Sequence, residues 1–169
     1  AVAATLFLGL SYIVSGWKKW RPYALLLILP MVLGAGIITH SLLKDHWGRP
    51  RPKQIENYGG DNAFRPFYQP NITLEVQPFK SFPCGHCSMG FYFFAVALLG
   101  RRLGSRLLFA TGITLALSLG IALSITRIAQ GGHFFSDTMA TALIMWMTAF
   151  ACDWLLFKET YSDNYARVL

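Results

Sequence analysis

The sequence predicts an all-α protein, a polytopic transmembrane helical bundle of about five spans carrying one irregular loop. Three observations predict it. Of 169 residues, 54% are hydrophobic and only 14% charged, with a mean hydropathy of +0.41; a soluble globule of this size cannot hide so much apolar surface. Apolar stretches recur at lengths near the roughly 20 residues that cross a ~30 Å hydrocarbon layer as a helix. The polar sequence between them is basic and aromatic, as at membrane boundaries. Disorder and a water-facing surface are both excluded, and the chain reads as a single domain, 1–169.

Residues 1–16 form the first apolar segment. They begin without a methionine and are apolar from the first residue, so an earlier portion is expected to have been trimmed or processed; no basic n-region marks a cleaved signal. Residues 23–43 carry no charge and make the strongest span. The stretch from His86 to Gly100 is shorter, with an aromatic run, and suits a helix starting at the Pro83 turn. Residues 107–126 and 138–157 are two further spans, the second holding one acid, Asp153. Between residues 53 and 82 lies a long loop whose Gly59-Gly60, Pro66, Pro70 and Pro78 mark it as irregular.

If all five segments cross, Lys44 to Phe82 and the Arg127 turn share one side, and the other two basic turns share the opposite side with the tail. Setting aside Lys44, Arg51 and Arg127, the first side keeps Arg49, Lys53, Arg65 and Lys80. The second holds Lys18, Lys19, Arg21, Arg101, Arg102, Arg106, Lys158 and Arg167. That excess places the short basic turns in the cytoplasm and the loop in the periplasm or outside. The formal charge of +7 is thus read as positive-inside bias and as attraction to phosphate-bearing lipid, not to nucleic acid. Oligomeric state is not legible.

Three clusters sit at span ends on the loop side: KDHWGRPRP from Lys44, FPCGHCSMGF from Phe82 and ITRIAQGGHFFSD from Ile125. Lys44, Arg51 and Arg127 are cations at helix ends, and the second cluster offers free backbone N–H groups where a helix begins after Pro83. These are the parts of an anion site. His133 and Asp137 stand four apart, so a carboxylate can hold one ring nitrogen and leave the other free to attack. His86, on a different segment, can protonate a departing alkoxide. Singly, Lys44 and Arg51 would read as interfacial anchors and each histidine as a structural residue; their joint spacing favours chemistry.

The clusters resemble the signature of the type-2 phosphatidic acid phosphatase family, which includes vanadium haloperoxidases: Lys, six residues, Arg-Pro; Pro-Ser-Gly-His; and Ser-Arg, five residues, His, three residues, Asp. Lys44, Arg51 and Pro52 match the first, Pro83, Gly85 and His86 the second, and Arg127, His133 and Asp137 the third. The resemblance implies a helical bundle, six spans in the family, and a metal-free lipid phosphatase with no cofactor. His133 would be the nucleophile that forms a phosphohistidine, Asp137 its orienting partner and His86 the general acid. Lys44, Arg51 and Arg127 would clamp the phosphoryl oxygens, with Cys84 and Gly85 completing the phosphate loop. Thr126 replaces the family's Ser and keeps a hydroxyl; Cys84 replaces another Ser, and a thiol is a weaker donor. Substrates within the resemblance are lipid A, undecaprenyl diphosphate, phosphatidylglycerol phosphate and phosphatidate, in a cytoplasmic (inner) membrane.

Other readings use the same residues. A phosphotransferase would differ only in its acceptor. CGHC, Cys84 to Cys87, is also the dithiol string of disulfide isomerases, but a thioredoxin-like frame is lacking, and the remaining spacings would go unexplained. On an oxidising side the pair can instead form a disulfide that constrains the phosphate loop. A non-enzymatic scaffold with a relic site damaged at Cys84 is the last alternative. The loop 53–82 is the expected substrate selector, and aromatics including Phe64, Phe67, Phe82 and Phe134 are expected to form an interface belt or to hold lipid chains.

Overall fold

A computed structural model describes residues 1–72 and 78–158; part of the expected selector loop, residues 73–77, and the tail with Arg167 lie outside the described residues. Among these residues there is no β-strand, only isolated bridges between Arg49 and Lys80 and between Ile55 and Asn62. The architecture is the expected all-helical bundle.

The first helix, α1 (Val2–Ile13), is shorter than a full crossing: its 12 residues reach only about 18 Å at 1.5 Å per residue. Arg21 ties its end back to the next helix, donating to the Ser11 hydroxyl (3.0 Å) and carbonyl (2.7 Å). The strongest expected span is one continuous helix, Gly16–Lys44. It opens as a 3₁₀ turn, runs as α2 (Arg21–Leu29), and continues from Pro30 to Lys44 with wider π winding. The change begins where proline has no N–H to give the ladder and its ring crowds the carbonyl four residues back. Gly34 lets this segment press on Met145 and Thr148, 3.0 and 3.3 Å from where a β-carbon would stand.

The expected span from His86 to Gly100 is two short helices, α3 (Cys87–Phe91) and α4 (Phe94–Arg102). The break falls where Tyr92 turns its hydroxyl to the Leu27 carbonyl at 2.8 Å. Helices α5 (Arg106–Ala129) and α6 (Phe135–Leu156) are long and apolar enough to cross a membrane. Gly112, Ala116, Gly120 and Ser124 recur every fourth residue on the buried face of α5. A β-carbon on Gly112 would meet the Ala97 amide at 2.3 Å, and one on Gly120 would meet the Phe91 ring at 2.3 Å. Small residues at this spacing bring backbones together and replace the hydrophobic effect, which lipid does not supply, by close van der Waals contact. The contact sets the start of α3 beside the end of α5.

At the other end of the bundle the buried Asp153 of α6 accepts from Arg101 (2.6 Å) and Arg102 (2.6 and 2.7 Å). A charge taken out of water is stable only when paired in this way. The clamp closes the end of the bundle opposite the three clusters.

Candidate active site

The site gathers at the ends of four elements: the close of the long second helix (Lys44), the start of α3 (His86), the last turn of α5 (Arg127) and the approach to α6 (His133). Lys44 lies within Coulombic range of Arg51 and Arg127. His86 lies within the same range of Arg127, Lys44 and His133. The five residues that the sequence picks out on separate segments are therefore brought together. Gly85 is held between them: a β-carbon there would stand 2.6 Å from His40 Nε2 and 3.2 Å from Lys44 Nζ, so a side chain would push the tips of these two residues away from the loop.

His133 is completely buried. Its Nδ1 lies 2.5 Å from the Ser81 carbonyl oxygen and 3.7 Å from Asp137 Oδ2. A carbonyl only accepts, so Nδ1 carries the hydrogen and Nε2 holds the lone pair. Nε2 has no hydrogen-bond partner among the described residues. The Asp137 carboxylate stands within ion-pair range of this ring, while its hydrogen bonds come from the Ser81 hydroxyl (2.6 Å), the Phe134 amide (2.9 Å) and the Arg49 guanidinium. The geometry makes Asp137 a support of the Ser81 loop, and Ser81 the residue that presents a carbonyl to the ring.

Two residues of this network were not singled out in the sequence. Arg49, in sequence one of the loop-side cations, is 2% exposed. It also donates to the Arg65 carbonyl and the Ser136 hydroxyl, both at 2.9 Å, and its guanidinium lies over the Phe134 ring at 4.1 Å. Ser81 is fastened to Arg49 by a backbone hydrogen bond of 3.0 Å as well. The available signal was the doubled Arg-Pro at Arg49 and Arg51, of which only the second fits the motif spacing.

Of the two readings of Cys84, the structure shows the disulfide and not the phosphate donor. Its sulfur is bonded to Cys87 in a disulfide, and both residues are completely buried, so no S–H remains to donate to a phosphate. The Cys84 amide is also spent, donating to Thr141 Oγ1 at 2.9 Å. The pair acts as a staple across the start of α3, and its burial keeps it from the thiol exchange that a redox reading requires. Gly85 keeps its expected place in the loop, where its carbonyl accepts from Ser88 at 2.7 Å.

His86 is exposed at the mouth, and its pKa is lowered below the ordinary histidine value, first by desolvation and then by Arg127 and Lys44. Both effects disfavour its protonated form, and a bound anion would offset the part due to the cations. Arg127 gives one hydrogen bond to Gln130 (2.8 Å), and its Nε is buried without a partner among the described residues. The site thus presents three cations, a ring nitrogen with a free lone pair and a second imidazole, which together can bind a phosphate and transfer it.

Comparison with known proteins gives a concordant picture. Residues 24–161 match the model of the PAP2 superfamily. A lipid A 4'-phosphatase of Francisella tularensis subsp. novicida (strain U112) is 31% identical over 94% of this chain and 70% of its own length. A lipid A 4'-phosphatase of Rhizobium leguminosarum is 24% identical over 81% of this chain and 54% of its own length. No solved structure matches the chain significantly.

Proposed function

Since the chain belongs to the PAP2 superfamily and, with its lipid A 4'-phosphatase relatives, is a hydrolase of lipid phosphate esters, we propose that it removes the phosphate of a lipid A-type glycolipid through a phosphohistidine on His133. The relatives' names support the substrate class. The observation that carries the mechanism is the division of labour on one ring, with Nδ1 engaged by Ser81 and Nε2 unpartnered among the described residues.

In this reading the phosphoryl group lies among Lys44, Arg51 and Arg127, whose charges meet the equatorial oxygens where negative charge develops. Nε2 donates its lone pair to phosphorus, the ester P–O bond breaks, and its electron pair leaves on the sugar oxygen, which takes a proton from His86. The Ser81 carbonyl stabilises the positive ring that results. Water then attacks the phosphohistidine and gives a proton to His86; the P–N bond returns its pair to Nε2, and inorganic phosphate departs. Because the three cations supply the charge, the reading needs no metal. Burial of His133 keeps bulk water from the nucleophile before substrate arrives.

The chain would work as one unit in the inner membrane, with the site on the outer face and the basic turns at Lys18 and Arg101 in the cytoplasm. Phosphate release from lipid A 4'-phosphate, phosphatidate and a prenyl diphosphate by purified protein tests the reading. Release that disappears in His133→Ala supports it, and the absence of release from every lipid contradicts it.

A further inference from the structure

Two cavities meet at the nucleophile's side of the loop. One, of about 470 Å³, is bounded by His133, Lys53, Tyr58 and Phe134. The other, of about 400 Å³, is bounded by Asn57, Phe64 and again Tyr58 and Phe134. Tyr58 and Phe134 line both, so the two lie side by side as a groove along this pair of aromatic residues, with His133 at its inner boundary. We infer that this groove is the subsite for a saccharide headgroup, the part of the substrate that carries the scissile phosphate; the inference rests on the phosphatase reading above and adds the residues that select its substrate.

The chemistry of the walls favours a sugar over a hydrocarbon chain or a bare phosphate. A sugar ring offers one face of C–H groups to an aromatic ring and directs its hydroxyls sideways to amides and ammonium groups. Tyr58 is 70% exposed and Phe64 51% exposed, so both rings are open for stacking, with Asn57 and Lys53 beside them as polar partners. Such a mixture of aromatic surface and a few polar groups is typical of a small-molecule site. A prenyl or acyl chain would cover the rings but make no use of the amide and the ammonium, which would stay hydrated. The wall is also rigidly tied to the catalytic residues. Phe64 meets Phe134 edge to face at 5.4 Å, and Phe134 carries the Arg49 guanidinium that holds Asp137. Tyr58 is positioned by the turn in which its amide bonds the Ile55 carbonyl at 3.0 Å and Gly59 adopts a positive φ of 84°.

The test compares three substrates, a disaccharide glycolipid phosphate, phosphatidate and a prenyl phosphate, in wild type, Tyr58→Ala and Tyr58→Phe. Tyr58→Ala is expected to raise KM for the glycolipid by about tenfold, the size of one lost aromatic contact, with kcat little changed and a much smaller effect on the other two. Tyr58→Phe restores the stacking and the KM. Equal losses on all three substrates, or wild-type turnover of phosphatidate with none of the glycolipid, would overturn the groove while leaving the phosphatase reading intact. Binding of the phosphate-free disaccharide lipid to detergent-purified protein separates the two claims. Binding weakened by Tyr58→Ala in a protein without phosphatase activity would keep the groove and refute the phosphatase; binding indifferent to Tyr58→Ala refutes the groove.

Discussion

The Nδ1 of His133 lies 2.5 Å from the carbonyl oxygen of Ser81, closer than the 3.7 Å that separates it from the Asp137 carboxylate one turn along the chain. The proposed nucleophile is therefore oriented by main chain, and the acid acts through the loop that carries this carbonyl.

Asp137→Asn should lower stability as well as turnover. The Arg49 guanidinium would stay buried with its charge uncompensated, and breaking a buried pair from one side costs about 3–5 kcal/mol. Thermal unfolding in detergent checks this, and Arg49→Met should lose stability and turnover similarly. The double variant Arg49→Met/Asp137→Asn should be less destabilised than the two losses summed. Lost turnover with unchanged unfolding would mean that Asp137 serves the ring directly.

The cations should act mainly on the transition state. Replacing Lys44, Arg51 or Arg127 singly by Ala should lower kcat by about 10²–10³, the usual effect of removing one preorganised partner of developing charge. Steady-state kinetics on one lipid phosphate measures it. A rise in KM with unchanged kcat would assign them to ground-state binding alone.

The alkaline limb of kcat/KM should report His86 in the free enzyme. Desolvation and the neighbouring Arg127 and Lys44 depress its pKa, so the acid form is lost as pH rises through a value below that of an ordinary histidine. Removing one cation, as in Arg127→Gln, relieves the repulsion and should move the limb to higher pH even as the rate falls. A limb that stays in place would show that another group supplies the proton.

Alkylation should distinguish the three cysteines. With Cys84 and Cys87 joined and Cys152 the free thiol, denatured, unreduced protein should gain one label, and reduced protein three. Three labels without reduction would remove the staple from the account.

Much of this arrangement was legible because it is written in local pattern. The span at 23–43 carries no charge, and the long helices at 107–126 and 138–157 are nearly as apolar, so membrane thickness decided their extent. Lys44, Arg51, His86, Arg127 and His133 could be chosen by spacing, since each belongs to a short motif. What escaped depends on contacts between distant segments. The roles of Arg49 and Ser81 arise only when the loop folds onto the start of α6. The split of the 86–100 helix follows from the reach of Tyr92 to Leu27. The close seating of α3 and α4 on α5 did leave a trace, Gly112, Ala116, Gly120 and Ser124 at four-residue intervals, which reads as packing only once a partner helix is known. The motif alignment points Cys84 to phosphate and the CGHC string points it to a disulfide; the pairing with Cys87 leaves no hydrogen for the first role.

The central claim is that His133 Nε2 takes the phosphoryl group, and rapid quenching of the enzyme during turnover of a lipid labelled in its phosphate tests it most directly. Label should appear on the protein within the first turnover, survive base, be released by acid, and map to the peptide containing His133. Full wild-type turnover with no labelled protein under those conditions, or label on a different residue, would contradict the account.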